Sequence, residues 1–187
     1  MHRIHSPAFT GQAFNPCRGR PSRFAPLGRA GRPCIPTMYA AESLECAVHE
    51  TVFHEIPYDA PVKTVDAGVV RALVHSVVLP TRDLKLCALF EPDLNRWGLT
   101  RGDLIDTLAS RYAATAEWAI AIHDTDSDID GLVWTSRRCD PEKACVLFGD
   151  RVGTSLALEA RTSIGASPDR LAAVLKFGKR VGITLVI

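Results

Sequence analysis

The chain has 187 residues, 47% of them hydrophobic and 23% charged, with a net charge of only +1. A domain of this length buries about 70% of its extended-chain surface on folding. No apolar run approaches the ~20 residues of a membrane span, and the N-terminus lacks the continuous apolar stretch of a secretory signal, so the composition excludes a membrane protein and points to a cytoplasmic one.

The charge is unevenly placed. Arg3, Arg18, Arg20, Arg23, Arg29 and Arg32 all precede the first acidic residue, Glu42, which leaves a net −5 on the remainder. Residues 1–37 are rich in Pro, Gly and Arg and show no period, so they read as an irregular basic arm, with residues 38–187 as the domain body. Such an arm suits phosphate, because the Arg guanidinium is a planar fork matched to phosphate oxygens. A nucleic-acid arm is the rival reading. A mitochondrial presequence is the third, and its prolines and glycines argue against the amphipathic helix it needs. The six cysteines, Cys17, Cys34, Cys46, Cys87, Cys139 and Cys145, form no C-x-x-C pair. In a chain able to build a core they are expected reduced.

Ser43 is a plausible N-cap for a helix that closes before Pro57. Its core stripe is Leu44, Ala47, Val48, Thr51 and Val52. Glu50 falls about 130° from the centre of that stripe at ~100° per residue, which makes it either a solvated charge or a cleft carboxylate. The string His49 to His54 is one residue too long for H-E-x-x-H. The two imidazoles point about 140° apart and cannot share a zinc ion, and no metal is expected. Val69–Pro80 and Leu84–Phe90 read as strands. Residues 99–123 read as a helix opened by Thr100 and Asp103 in a capping box.

Asp126 to Gly131 matches the opening of a calcium loop, but Arg137 stands where the bidentate Glu belongs, and an acidic surface loop is expected. Gly131–Ser136 and Ala144–Phe148 read as buried strands. The chain ends with a helix over residues 167–177, stopped by Gly178, and a last strand over 181–187. Strands and helices mix without strict alternation, so the class is α+β in one domain. Ser136 ends a strand without a G-x-S-x-G elbow, and nothing in the spacing selects a Ser-His-Glu hydrolase.

Taken as an ordered set, Arg23-Phe24, Tyr39-Ala40, Ala47 to Glu50 with His54, and Gly131 to Ser136 resemble the RES-domain family, named for Arg, Glu and Ser. Arg23 is sixteen positions before Tyr39; the aromatic beside it favours it over Arg20 and Arg29 as the family arginine. The resemblance implies a mixed sheet of the ADP-ribosyltransferase type and a toxin that consumes NAD+ as substrate, with no recycled cofactor. It implies cleavage of the nicotinamide–ribose bond and transfer of ADP-ribose to water or phosphate, or alternatively to a protein. It also implies an Xre-type antitoxin partner. Glu50 and Ser136 are then the catalytic pair, and Arg23, Tyr39 and His54 bind NAD+. A non-enzymatic nucleic-acid or partner-binding protein is the alternative of another class; on the family reading no direct nucleic-acid binding is expected.

Overall fold

A computed structural model describes residues 1–57 and 59–186. Its framework is a seven-stranded mixed sheet built from β1 (His2–His5), β2 (Thr37–Ala41), β4 (Val74–Pro80), β5 (Leu86–Ala88), β6 (Gly131–Thr135), β7 (Lys143–Phe148) and β8 (Leu156–Ser163). The order is β5-β6-β7-β2-β1-β4-β8, antiparallel throughout except for the parallel pair β5–β6. A small parallel pair joins β3 (Thr64–Asp66) to β9 (Thr184–Val186); the final residue of the expected last strand, Ile187, lies outside the described residues. The helices are α1 (Leu44–Thr51), α2 (Ala67–Arg71), α3 (Glu91–Arg96), α4 (Arg101–Leu104), α5 (Tyr112–Thr125), α6 (Gly149–Val152) and α7 (Pro168–Arg180). None of the described helices is long and apolar enough to cross a membrane.

Side chains alternate across the strands, and both faces are covered. Ala144, Val146 and Phe148 of β7 join Leu132 and Trp134 of β6 and Val48 of α1 in the main core. Cys145 and Leu147 point the other way, to a smaller core with Met38, Ala40 and Val78. Each large apolar side chain so buried contributes about 1.5–3 kcal/mol.

Several expectations are corrected here. The first residues of the arm are a strand, and β1 lies inside the sheet between β2 and β4. It tolerates that position because its polar residues find distant partners: Arg3 donates to the Gly11 and Ala13 carbonyls at 2.9 and 2.6 Å, and His5 bonds the Ser76 hydroxyl at 2.9 Å. The rest of the arm, residues 6–36, is irregular with isolated bridges. It doubles back through Ile35 N–H to Leu27 C=O at 3.0 Å, which brings Cys17 and Cys34 together as a disulfide with Cα atoms 6.1 Å apart. That pair is not reduced; Cys46, Cys87, Cys139 and Cys145 are free.

Elsewhere, Asp66 caps α2 by accepting from Gly68 and Val69 N–H, so the expected strand over 69–80 begins only at Val74. The capping box at Thr100 and Asp103 is present, but the helix it opens is α4 alone, and a break precedes α5. Gly178 lies within α7 instead of ending it. A Cβ there would meet the Ile183 carbonyl at 2.9 Å, and the turn out of the helix falls at Gly182, with φ 74°. Asp130, expected on an acidic surface loop, is buried and held by Arg82 at 2.6 and 2.8 Å.

Candidate functional site

Ser43 accepts from Cys46 N–H at 3.1 Å and sets the start of α1, a cap worth about 1 kcal/mol. The helix then runs across the sheet, and its apolar face differs from the expected one. Cys46, Ala47, Val48 and His49 are buried, while Thr51 is exposed. The reason is that two sides of α1 are covered, one by the sheet and one by α7 and the β6–β7 connection. Glu50 sits between these coverings and the arm, and its side chain is only 7% exposed.

Two groups hold its carboxylate. Ser136 donates its hydroxyl to Glu50 Oε1 at 2.5 Å, and the Arg23 guanidinium lies 3.6 Å from Oε2, close enough for attraction and too long for a good hydrogen bond. Ser136 is fully buried just past the end of β6 and accepts from the backbone N–H of Arg138 and Cys139 at 3.2 and 3.1 Å. Its hydroxyl donates to Glu50 while its oxygen accepts from the chain, an arrangement that orients the carboxylate. The Ser-His-Glu arrangement is not formed, because serine meets glutamate directly.

Arg23 is 2% exposed. Its second terminal nitrogen donates to His54 Nε2 at 3.2 Å, and its Nε has no hydrogen-bond partner among the described residues. Burial, followed by the charges of Arg23, Arg137 and Arg138, pushes the His54 pKa down to about 3. The ring is therefore neutral at physiological pH and accepts from arginine at Nε2, with its proton on Nδ1. Tyr39 is half-buried on β2 with its ring edge-on to Trp134. Its hydroxyl accepts from Phe24 N–H at 2.8 Å and contacts Ser22 Oγ at 3.1 Å, and burial raises its pKa to about 12. Tyr39 thereby pins the arm segment that carries Arg23.

Arg23, Tyr39, Glu50 and His54 line one cavity of about 400 Å³, within the usual range for small-molecule sites. Ser136 stands behind its floor. The residues missed from sequence are Arg3 and Glu55, which line the same space, as does Arg20, set aside above in favour of Arg23; Arg20 and Glu55 are exposed. Arg29 is elsewhere, paired with Glu117. His49 turns away into a second pocket with Glu45, so it and His54 share no metal. The cavity thus brings one ordered carboxylate, Glu50, together with three arginines, Arg3, Arg20 and Arg23, and a second carboxylate, Glu55.

The family model for the RES domain matches residues 1–165, taking in β1 and the whole arm. Among solved structures, a chain of the Mycobacterium tuberculosis MbcT–MbcA toxin–antitoxin complex is similar at a TM-score of 0.65 and 16% identity, over 94% of this chain and 86% of that one. At that identity the likeness concerns the fold. No curated protein matches the sequence.

Proposed function

The chain belongs to the RES-domain family, and from that membership we propose that it is the toxin of a toxin–antitoxin pair that consumes NAD+. It cleaves the bond between nicotinamide and ribose and passes ADP-ribose to water or phosphate. The observation that carries the reading is the buried Glu50 carboxylate, fixed by Ser136 and faced by Arg23 in a cavity lined by the arm.

The chemistry asks for little more. Loss of nicotinamide passes through an oxocarbenium-like state, as in glycoside hydrolysis. The departing ring is cationic before cleavage and neutral after it, so no general acid is required. Glu50 accepts a ribose hydroxyl proton in a hydrogen bond and offsets the charge that develops. Arg23 and Ser136 keep that carboxylate in place, and exposed Arg20 gives the pyrophosphate a charged partner at the rim. Tyr39 offers its ring to the nicotinamide while its hydroxyl holds the arm. The partner is an antitoxin, of Xre type on the family reading; the complex solved for MbcT and MbcA supports an antitoxin partner without bearing on its type.

Purified, antitoxin-free protein is expected to release nicotinamide from NAD+, in phosphate or without it. Glu50→Gln should slow release by about 10²–10³-fold, the worth of one preorganised electrostatic contact, while circular dichroism stays unchanged. NAD+ left intact by the wild-type protein under both conditions would remove the proposal.

A further inference from the structure

Behind the site lies a second cluster that the reaction does not use. Cys46 Sγ, Cys139 Sγ and a Glu142 carboxylate oxygen lie within 4.8 Å of one another. They come from α1 and the β6–β7 connection, so no spacing in the sequence announces them. Cys46 is fully buried; Cys139 and Glu142 are half-buried and open onto a pocket of about 230 Å³ that His49 and Glu45 also line.

We propose that Cys46, Cys139 and Glu142 form a binding site for a thiophilic divalent cation of the Zn²⁺ type. Two thiolates and a carboxylate select such an ion over magnesium or calcium. Two sulfurs each about 2.3 Å from a tetrahedral zinc stand about 3.8 Å apart, so the observed cluster needs to contract by no more than about 1 Å. Cys139 and Glu142 line the pocket, which leaves room for water as the fourth ligand. Arg180, which lines the same pocket, is engaged by Glu45 at 2.8 Å. Burial raises both thiol pKa values, that of Cys139 to about 11; binding therefore displaces two thiol protons to solvent, and the metal supplies the charge that burial otherwise opposes.

The site touches the catalytic arrangement. Cys46 lies one turn before Glu50, its thiol donates to the Lys143 carbonyl at 3.7 Å, and the Cys139 N–H donates to Ser136 Oγ at 3.1 Å. Glu142 also accepts from Ser43, the cap of α1. Occupancy ties α1 to the connection that holds Ser136.

The test is a titration of the full chain with Co²⁺ under reducing conditions, a readout independent of any reaction with NAD+. One equivalent should give a thiolate-to-cobalt charge-transfer band that Zn²⁺ displaces. Cys139→Ser, at a half-exposed position that leaves folding intact, and Cys46→Ser should each abolish the band, whereas Cys87→Ser should keep it. Glu142→Gln should weaken binding by about tenfold or more. Amide exchange across residues 136–142 should slow on binding. Absence of the band, or its persistence in Cys139→Ser, would overturn the proposal.

Discussion

The Tyr39 hydroxyl ties Phe24 N–H to β2, and the residue between Ser22 and Phe24 is the arginine that faces Glu50. Two roles for Tyr39 can be separated by one atom. Tyr39→Phe keeps the ring and removes the acceptor, so a role confined to stacking would leave kcat/KM unchanged. Loss of one such hydrogen bond, about 0.5–1.5 kcal/mol, predicts instead a fall of roughly threefold to tenfold in kcat/KM for nicotinamide release. Glu50 illustrates how far one residue was legible. The helical wheel put it off the core stripe, which is right, yet left it open between solvent and cleft. Its burial comes from the arm and from the residue 136–142 connection, and only the resemblance to the RES motif singled it out beforehand.

At the level of elements, the G-L-x-W-x-S strand gains a reason for its first residue. Gly131 pairs with Leu147 in β6–β7, and a Cβ there would fall 2.2 Å from the Val146 carbonyl. Backbone cannot give way cheaply. Gly131→Ala is expected to destabilise by about 3 kcal/mol or more, read as a lower urea midpoint, and to loosen Ser136 five residues on. Gly28→Ala, where nothing lies within 4 Å, is the control and should change stability by less than about 0.5 kcal/mol. Of the strands that could be read, β6 and β7 are apolar and buried, and β4, β5 and β9 are shorter than the stretches expected at 69–80, 84–90 and 181–187. β8 escaped notice because it is an edge strand exposed along most of its length, so it carries no apolar face to betray its period. β1 escaped for the opposite reason: it is buried, but with polar residues whose partners are remote in sequence.

Over the whole molecule, neutral buried histidines set the response to acid. The His54 pKa is pushed down to about 3 and that of His75 to about 4, both chiefly by burial, against 6.5 in the unfolded chain. Below pH ~6.5 the unfolded state takes up protons that the folded state refuses. Their stabilisation is thus complete above that pH and is lost as pH falls toward about 4, at about 1.4 kcal/mol per pH unit for each histidine. Urea midpoints should decline across that window, and His75→Gln should flatten the decline by about one proton. An equally steep decline in that variant would contradict the assignment. His75 also faces His2, with ring nitrogens 3.0 Å apart, so protonating both is doubly opposed.

What the sequence by itself determined is whatever local chemistry dictates: the Ser43 cap, the capping box at Thr100, the apolar strands β6 and β7, and a zinc spacing that misses by one residue. Tertiary structure decided what depends on a partner far along the chain. Glu50 and Ser136 are 86 residues apart, Cys17 and Cys34 meet because the arm folds on itself, and β1 becomes an interior strand through bonds to residues 11, 13 and 76. Local propensity is set by neighbours within a turn or two. Burial, and with it the charge state and reach of a site, is set by whatever the rest of the chain lays across it.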